Sequence, residues 1–268
     1  MLQVEKSTNP QQWKHSQQLN LILTFMFAPV FDNQTSVREE MNELKIMKEA
    51  NNYNSWLYSQ LEAHKSKDSK ILEIGAGIGT SVPFIFNDNK ITLTDKDENS
   101  VKLLREQYYW SNKFKVLKLD IEKAKLSEKY DSILCINVLE HIENDFRALV
   151  NMGDMLKKDG ELKLFVPAFR FAYGELDNTN KHYRRYSKSE VEYKLEMAGL
   201  KPISISYFNS LGLLGWFIYG RLLRRKQGSL KVTLFYDRFI VPVLAFIEKL
   251  IPIPFGQSII AIAVKKWK

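Results

Sequence analysis

Short apolar runs alternate with longer amphipathic segments from residue 70 onward, which is the pattern of strands and helices in βα units. The apolar runs predict strands at 70–74, 91–95, 114–119, 131–136, 161–166, 202–208 and 258–265. The amphipathic segments predict helices near 79–87, 97–111, 144–157 and 188–198. The chain is therefore predicted to have an α/β, doubly wound fold, in which helices cover both faces of a mostly parallel, seven-stranded sheet.

The same pattern divides the chain into a core with additions. Residues 66–208 are predicted to form the core, and residues 258–268 return to it as the last strand. Residues 1–65 are predicted to be an N-terminal helical extension or cap, in which the apolar run 19–31 is shorter than the roughly 20 residues of a transmembrane helix. Residues 209–257 are predicted to be a partly helical insertion between the last two strands.

The composition is that of a globular chain, with 45% hydrophobic and 26% charged residues among 268. The single cysteine, Cys135, excludes an intramolecular disulfide and a multi-cysteine zinc site, and its place inside a predicted strand indicates a core residue. The four histidines show no HExxH spacing, so no metal ion is expected. No secretory signal is recognisable, which favours a cytoplasmic location.

The net charge of +8 is strongest late in the chain. No acidic residue lies between Glu196 and Asp237, in a segment that is both basic and apolar. Two interpretations remain open. We favour the one in which the apolar side chains cover a ligand pocket, because both ends of the insertion are anchored on core strands. In the other, residues 209–231 contact an anionic membrane surface, which implies peripheral membrane association.

The sharpest motif is a buried strand followed by a glycine-rich turn and a helix, Ile71-Leu72-Glu73-Ile74-Gly75-Ala76-Gly77-Ile78-Gly79-Thr80. Glycines permit the tight turn and let the backbone approach a ligand, and the helix N-terminus favours negative charge. A nucleotide-type cofactor is therefore the expected ligand. The GxGxG spacing and the preceding Glu73 depart from the GxGxxG of dinucleotide-binding proteins, which speaks against a nicotinamide oxidoreductase.

Residues 71–79 resemble the first motif of class I S-adenosylmethionine-dependent methyltransferases, (V/I/L)L(D/E)xGxGxG. The resemblance implies a Rossmann-like fold, S-adenosyl-L-methionine as the cofactor, and a glycine loop that wraps the methionine end of the cofactor with Glu73 beneath it. The loop residues expected in the cofactor site are Glu73, Gly75, Ala76, Gly77, Gly79 and Thr80.

Further candidate cofactor contacts lie at the ends of the next strands. Asp95 ends the second strand about 20 residues after the glycine loop, where a carboxylate can accept hydrogen bonds from ribose hydroxyls. Lys96 beside it is included in the site, whereas Asp97 is predicted to cap the following helix. The resemblance places Asp120 and Ile121 at the adenine. It places Asn137 and Val138 at the methionine moiety. The alternative for Asp120 is a plain turn residue.

A loop rich in aromatic and charged residues follows strand five, at the edge of the sheet where α/β folds bind ligands. We expect it to recognise the methyl acceptor through Tyr173, His182, Tyr183, Arg184 and Tyr186. The candidate catalytic residues are His182, His141 and Arg184. A histidine would act as base for a hydroxyl acceptor, whereas a carboxylate acceptor needs only positioning, for example by Arg184. The alternative for His141 is a residue that initiates a helix or packs in the core. The alternative for Arg184 and Arg185 is that they are exposed at the surface or paired with carboxylates.

Residues 167–187 and the C-terminal segment 252–258 resemble a bacterial subgroup of these enzymes, methyltransferase type 11/12-like, that is often found with glycosyltransferases or natural-product pathways. This resemblance covers residues 50–268. It implies O-methylation of a small molecule such as a natural product, a sugar or a lipid-linked intermediate. The alternatives are a non-catalytic S-adenosylmethionine-binding accessory subunit and a nucleic-acid methyltransferase. Because the (D/N/S)PP(Y/F/W) motif does not follow strand four, no nucleic-acid partner is expected, and the oligomeric state is left open.

Overall fold

A computed structural model of the chain describes residues 47–61, 68–222 and 230–266. The strands are β1 Lys70–Ile74, β2 Lys90–Asp95, β3 Phe114–Lys118, β4 Tyr130–Ile136, β5 Leu156–Pro167, β6 Leu200–Phe208 and β7 Ser258–Lys265. The helices are α1 Asn51–Gln60, α2 Val82–Ile85, α3 Glu98–Tyr108, α4 Asp145–Met155, α5 Glu175–Thr179, α6 Lys188–Met197, α7 Ser210–Trp216, α8 Leu230–Phe235 and α9 Val241–Leu250. Most of the predicted N-terminal extension 1–65, including the apolar run 19–31, lies outside the described residues.

The seven strands form one sheet in the order β3-β2-β1-β4-β5-β7-β6. The first five strands run parallel, and β7 is antiparallel to both of its neighbours. The predicted Rossmann-like, mostly parallel fold is therefore confirmed. The chain order reverses between β1 and β4, and in open α/β sheets ligands bind outside the carboxyl ends of the strands at such a point.

Apolar side chains on both faces of the sheet pack against helices. One face packs on α4 and α6, which contribute Met152 and Leu195 among other buried residues. The opposite face packs on α1, α3 and α9, which contribute Leu57, Leu104 and Leu244. Strands that are buried on both faces read as continuous apolar runs, which explains why the sequence pattern located them so well.

Two acidic side chains of the insertion after β6 hold helix starts in place, and of these Asp237 is buried. The Asp237 carboxylate accepts hydrogen bonds from the backbone N–H of Tyr53 at 2.7 Å and from the backbone and side chain of Asn52. Glu248 accepts the backbone N–H groups of Asn209 and Ser210 at 3.1 and 2.7 Å. These bonds fix the first turn of α1 and the start of α7.

Helix α9, which carries Glu248, also has several apolar side chains that are exposed. In α9 the exposed fractions are 59% for Val243, 64% for Phe246, 41% for Ile247 and 64% for Leu250. The inward side of α9 is formed by Val241 and Leu244, which are buried. The apolar side chains of this helix are thus divided between the interior and the surface.

Two predicted elements differ from the structure in their bounds. The helix predicted at 79–87 is only α2, because Pro83 lies in its first turn and Asp88, with φ of 64°, lies beyond its end. The strand predicted at 161–166 begins earlier, at Leu156, where it pairs with Tyr130 and ends the preceding helix at Met155. Within the described residues, no helix has the length and apolar character needed to cross a bilayer.

Candidate active site

The glycine loop has the left-handed backbone that its sequence predicts. Gly75, Gly77 and Gly79 have φ angles of 69°, 54° and 75°, which side-chain-bearing residues rarely adopt. A Cβ on Gly75 would lie 2.3 Å from Cγ2 of Val138, at the end of β4. The loop therefore depends on glycine both for its turn and for the close approach of the neighbouring strand.

Asp95 lies at the carboxyl end of β2 beside this loop. Its Oδ2 accepts the backbone N–H of Gly77 at 2.9 Å, and its Oδ1 accepts the N–H of Asp97 at 2.9 Å. Burial raises the pKa of Asp95 above its ordinary value, although these N–H groups and Lys96 act in the opposite direction. A carboxylate has about four acceptor positions, so two remain for a ligand. Lys96 is exposed, and Asp97 caps α3 by accepting the N–H of Ser100, as predicted.

Glu73 connects the two ends of the glycine loop. Its side chain is buried at the end of β1 and accepts the hydroxyl of Ser81, which follows the loop. Burial raises the pKa of Glu73 to about 7. The carboxyl group is therefore close to half ionised at neutral pH, directly behind the turn that would hold a cofactor.

The residues after β3 and β4 complete the carboxyl edge. Asp120 accepts the N–H of Glu122 at 3.2 Å and pairs with Lys123, and its side chain is 38% exposed. Ile121 is buried in the core cluster beneath it. Asn137 has φ of 51° and an exposed side chain, while its backbone N–H donates to the carbonyl of Phe165 at 2.9 Å. Asparagine tolerates this strained conformation better than most residues, and strain of this kind is frequent at functional sites.

The loop after β5 carries a buried carboxylate that holds a histidine. Asp177 is fully buried, and its Oδ1 lies 2.8 Å from Nδ1 of His182. Burial alone would raise the pKa of Asp177, but the hydrogen bond from His182 and the charge of Arg185 outweigh it, so the pKa lies below its ordinary value. An ionised carboxylate only accepts hydrogen bonds, so Nδ1 of His182 carries the proton and Nε2 is left as the free nitrogen.

Three further donors fill the remaining positions on Asp177. Arg185 donates from Nε to Oδ1 at 2.7 Å, while Oδ2 accepts the Gly174 N–H at 3.0 Å and the Trp216 indole N–H at 3.3 Å. The Arg185 guanidinium also lies 4.8 Å from the Trp216 ring. Trp216 belongs to α7, so the insertion contributes directly to the support of His182.

His182 lies next to the end of β4. Its ring is 4.7 Å from that of His141 and nearly perpendicular to it. Burial, together with the charges of His182 and Lys96, lowers the pKa of His141 to about 3, so its ring is neutral. Glu140 is 1% exposed, and burial raises its pKa to about 7. The structure thus brings two of the candidate catalytic residues, His141 and His182, close to each other and to Glu140.

The other residues assigned to the acceptor site have different surroundings. Tyr173 donates its hydroxyl to the His182 carbonyl at 2.7 Å, and Tyr183 is exposed. Arg184 is held by Asp145 at 3.0 Å and by the carbonyl of Glu143 at 2.7 Å, which is the carboxylate pairing weighed as its alternative. The structure does not place Tyr186 at the surface of a site: it is completely buried, because its hydroxyl donates to Asp145 at 2.9 Å.

Sequence reasoning missed the supporting residues of this site. Asp177 and Arg185 lie in the loop that was identified, but the sequence gives no sign that they pair with each other and with Trp216. The sequence motifs do not single out Glu140. The signal that could have indicated Glu140 is its position beside His141 at the end of a parallel strand, where side chains reach the ligand edge.

Two open clefts lie along the loop after β5. One, of about 590 Å³, is lined by Tyr173, Tyr183, Arg184 and Arg185 among others. The second, of about 720 Å³, is lined by Phe169, Phe171 and Lys194 among others. The first cleft adjoins the residues around His182 and is the better candidate for an acceptor.

Comparison with known proteins agrees with the sequence motif. The model of the family described as "Methyltransferase domain" matches residues 72–162. A ubiquinone biosynthesis O-methyltransferase of Rickettsia canadensis is 26% identical over 110 residues, which are 39% of this chain and 46% of that protein. A hybrid PKS-NRPS synthetase of Trichoderma harzianum is 27% identical over 159 residues, 51% of this chain but 4% of that protein. The matches thus span half or less of these relatives' own length.

Solved structures share the fold. The 1,6-didemethyltoxoflavin-N1-methyltransferase of Burkholderia thailandensis, crystallised with S-adenosylhomocysteine, has a TM-score of 0.54 and 14% identity, covering 99% of this chain and 94% of its own. A methyltransferase structure from Bacillus halodurans C-125 has a TM-score of 0.52 and 19% identity, covering 78% and 99%. At these identities the likeness shows the fold alone.

Proposed function

We propose that this chain is a class I S-adenosylmethionine-dependent methyltransferase, consistent with the methyltransferase family model that matches residues 72–162, and that it methylates a hydroxyl oxygen of a small-molecule acceptor. The observation that supports this proposal most directly is the Asp177–His182 pair at the carboxyl edge of the sheet. It combines a free imidazole nitrogen with a buried partner that fixes the ring.

The glycine loop and Asp95 fit the cofactor of this family. Gly75, Gly77 and Gly79, which alternate with Ala76 and Ile78, all have positive φ, and Asp95 keeps acceptor positions for ribose hydroxyls. We propose that Asp120 and Ile121 bind the adenine, and that Asn137 and Val138 border the methionine moiety. S-adenosylmethionine supplies a methyl group on a sulfonium, which an acceptor oxygen takes by in-line displacement.

In this proposal His182 removes the proton of the acceptor hydroxyl. Its Nε2 accepts that proton as the oxygen attacks, and Asp177 stabilises the imidazolium that results. A carboxylate acceptor would need Arg184 for positioning, but that guanidinium already contacts Asp145 and the Glu143 carbonyl. The contacts of Arg184 therefore favour the hydroxyl acceptor.

We further propose that residues 210–222 form a cover over the acceptor. The contacts that support this are Trp216 on Asp177, Phe217 against Phe171 at 5.9 Å between ring centroids, and Arg221 donating to the Tyr173 carbonyl at 2.7 Å. The cover proposal expects no binding to anionic vesicles at low or physiological salt. Salt-sensitive flotation would instead support membrane contact through residues 209–231.

Replacement of His182 tests the acceptor site. We expect His182→Ala to lower turnover by about 100-fold or more, because general-base catalysis contributes roughly that much. Methyl transfer from radiolabelled cofactor is measured with a panel of phenolic, sugar and lipid-linked hydroxyl compounds. S-adenosylhomocysteine binding, measured by calorimetry, should not change. Lys181→Ala, which alters the exposed neighbouring residue, is the control.

The same experiment separates the rival functions. Equal loss of cofactor affinity in His182→Ala would show that the loop belongs to the cofactor site. Cofactor binding without turnover on any acceptor of the panel would favour a non-catalytic accessory subunit. Methylation of an oligonucleotide under conditions where the panel is inert would replace the small-molecule acceptor by nucleic acid.

A further inference from the structure

Three side chains of metal-binding type meet at the carboxyl edge of the sheet. Glu140 and His141 come from the turn after β4, and His182 comes from the loop after β5. Their potential ligand atoms all lie within 4.8 Å of one another. Nothing in the sequence spacing indicates this group, since 41 positions separate His141 from His182; only the pairing of β4 with β5 brings them together.

The Glu140 carboxylate provides a second, independent observation. The residue is 1% exposed, and its Oε2 has no hydrogen-bond partner among the residues that the structure describes. A buried polar atom without a partner is costly, and native proteins leave few of them without a reason such as a ligand or an ion. This oxygen belongs to the same carboxylate that approaches both imidazoles.

Both histidines are prepared to act as ligands. His182 has its Nδ1 on Asp177, which leaves Nε2 free, and a carboxylate behind a histidine is the usual outer partner of a metal-bound imidazole. The His141 ring lies next to that of His182, with 4.7 Å between the ring centroids. Asp177, in turn, is held by Arg185 and Trp216.

The spacing of the group is close to that of a metal site. Glu140 and Asp177 are both buried, Asp177 is paired with Arg185, and Lys96 and Lys181 also act on His141. Two ligand atoms on bonds of 2.1 Å lie about 3.4 Å apart in a tetrahedral site. Since the three atoms are within 4.8 Å, modest rotations of the side chains would bring them to that spacing.

We propose that Glu140, His141 and His182 bind a divalent transition-metal ion, of which zinc is the best match to two imidazoles and one carboxylate. Three protein ligands leave a position open, as in catalytic zinc sites. This inference rests on the proposed function in one respect: it assigns the open position to the acceptor hydroxyl.

The ion changes how the hydroxyl is activated. Without it, His182 accepts the proton of the acceptor itself. A bound ion would supply Lewis-acid chemistry, since it would lower the pKa of an acceptor hydroxyl bound to it. In that case Glu140, His141 and His182 would hold the ion, and the acceptor would be restricted to compounds whose hydroxyl can bind a metal.

Metal binding is measured directly, without turnover. The full chain is freed of metal by chelator and dialysis, and Zn²⁺ is titrated by calorimetry; Co²⁺, titrated separately, reports coordination by histidine through its visible absorption. We expect one ion per chain. Glu140→Gln and His182→Ala should each weaken Zn²⁺ binding at least about tenfold, and Asp177→Asn should weaken it by roughly 10 to 100-fold as an outer partner does.

Glu143→Gln is the matched control, because it replaces an exposed glutamate three residues away from Glu140. Circular dichroism checks that each variant is folded, and Glu140→Gln preserves the volume of the buried side chain. The proposal is overturned if the wild type binds no Zn²⁺, or if the control loses as much affinity as Glu140→Gln. S-adenosylhomocysteine binding is measured on the same samples, so a failed metal site is distinguishable from a failed methyltransferase site.

Discussion

Glu73 offers a quantitative test of the electrostatics behind the glycine loop. Its carboxyl is buried, and its pKa is raised from 4.5 to about 7. Below pH 4.5 the group is protonated in both the folded and the unfolded chain. Between pH 4.5 and 7 the folded chain keeps a proton that the unfolded chain releases, so the free energy of unfolding falls as the pH rises. Well above pH 7, the folded chain bears the full free-energy cost of ionising the buried Glu73.

The size of this effect follows from the shift. About 2.5 pKa units at 1.36 kcal/mol each correspond to roughly 3 kcal/mol, of which about 2 kcal/mol is lost above pH 5.5. Glutamine has nearly the shape of the protonated acid but cannot ionise. We therefore expect Glu73→Gln to gain stability over the wild type by about 2 kcal/mol as the pH is raised from 5.5 to 8.

Urea unfolding followed by tryptophan fluorescence measures this difference at several pH values. Glu106→Gln is the control, because Glu106 is exposed on α3 and its replacement should leave the difference flat. A Glu73→Gln curve that stays parallel to the wild type over the whole range would refute the reasoning, since it would mean that Glu73 ionises alike in the folded and unfolded chains.

Other predictions follow from single contacts. Gly75→Ala should weaken S-adenosylhomocysteine binding at least about tenfold in calorimetry, because its Cβ would lie 2.3 Å from Val138 and its φ is 69°. Asp237→Ala should lower the free energy of unfolding by roughly 2 kcal/mol or more, since it leaves the first turn of α1 without its acceptor, whereas Phe246→Ser should change it by less than about 0.5 kcal/mol. Tyr186→Phe should cost about 1 kcal/mol in the same assay without changing the KM for the acceptor, because the hydroxyl bonds to buried Asp145.

The strands and the cofactor loop could be predicted from the sequence because their signals are local. The central parallel strands contain short apolar runs, and the glycine turn follows β1 directly. The antiparallel return of β7 and the short α2 were less visible, since the first depends on the partner strand and the second on Pro83 and the left-handed Asp88. The hydrophobic pattern of the sequence does not predict the direction of β7 or the short length of α2.

The supporting residues of the acceptor site could not be predicted for the same reason. Trp216 and Asp177 are 39 positions apart, and their hydrogen bond exists only because α7 folds back over the loop after β5. Tyr186 shows the opposite error. An aromatic residue in a polar loop suggested ligand contact, but the loop turns its ring into the core. The composition of the loop after β5 made it a candidate for ligand contact. Only the tertiary contacts show which of its side chains are exposed and which are buried.

The two buried carboxylates near His182, those of Asp177 and Glu140, differ in how many of their acceptor positions are occupied. Asp177 has a donor at each of its acceptor positions, so it can only hold His182 and has no capacity left for a ligand. Glu140 is equally buried but leaves Oε2 unused among the described residues. An unused oxygen costs stability unless something binds it during function. One carboxylate is therefore saturated and fixes the imidazole, while the other keeps an unused oxygen beside it, and this contrast supports the proposed binding role of Glu140.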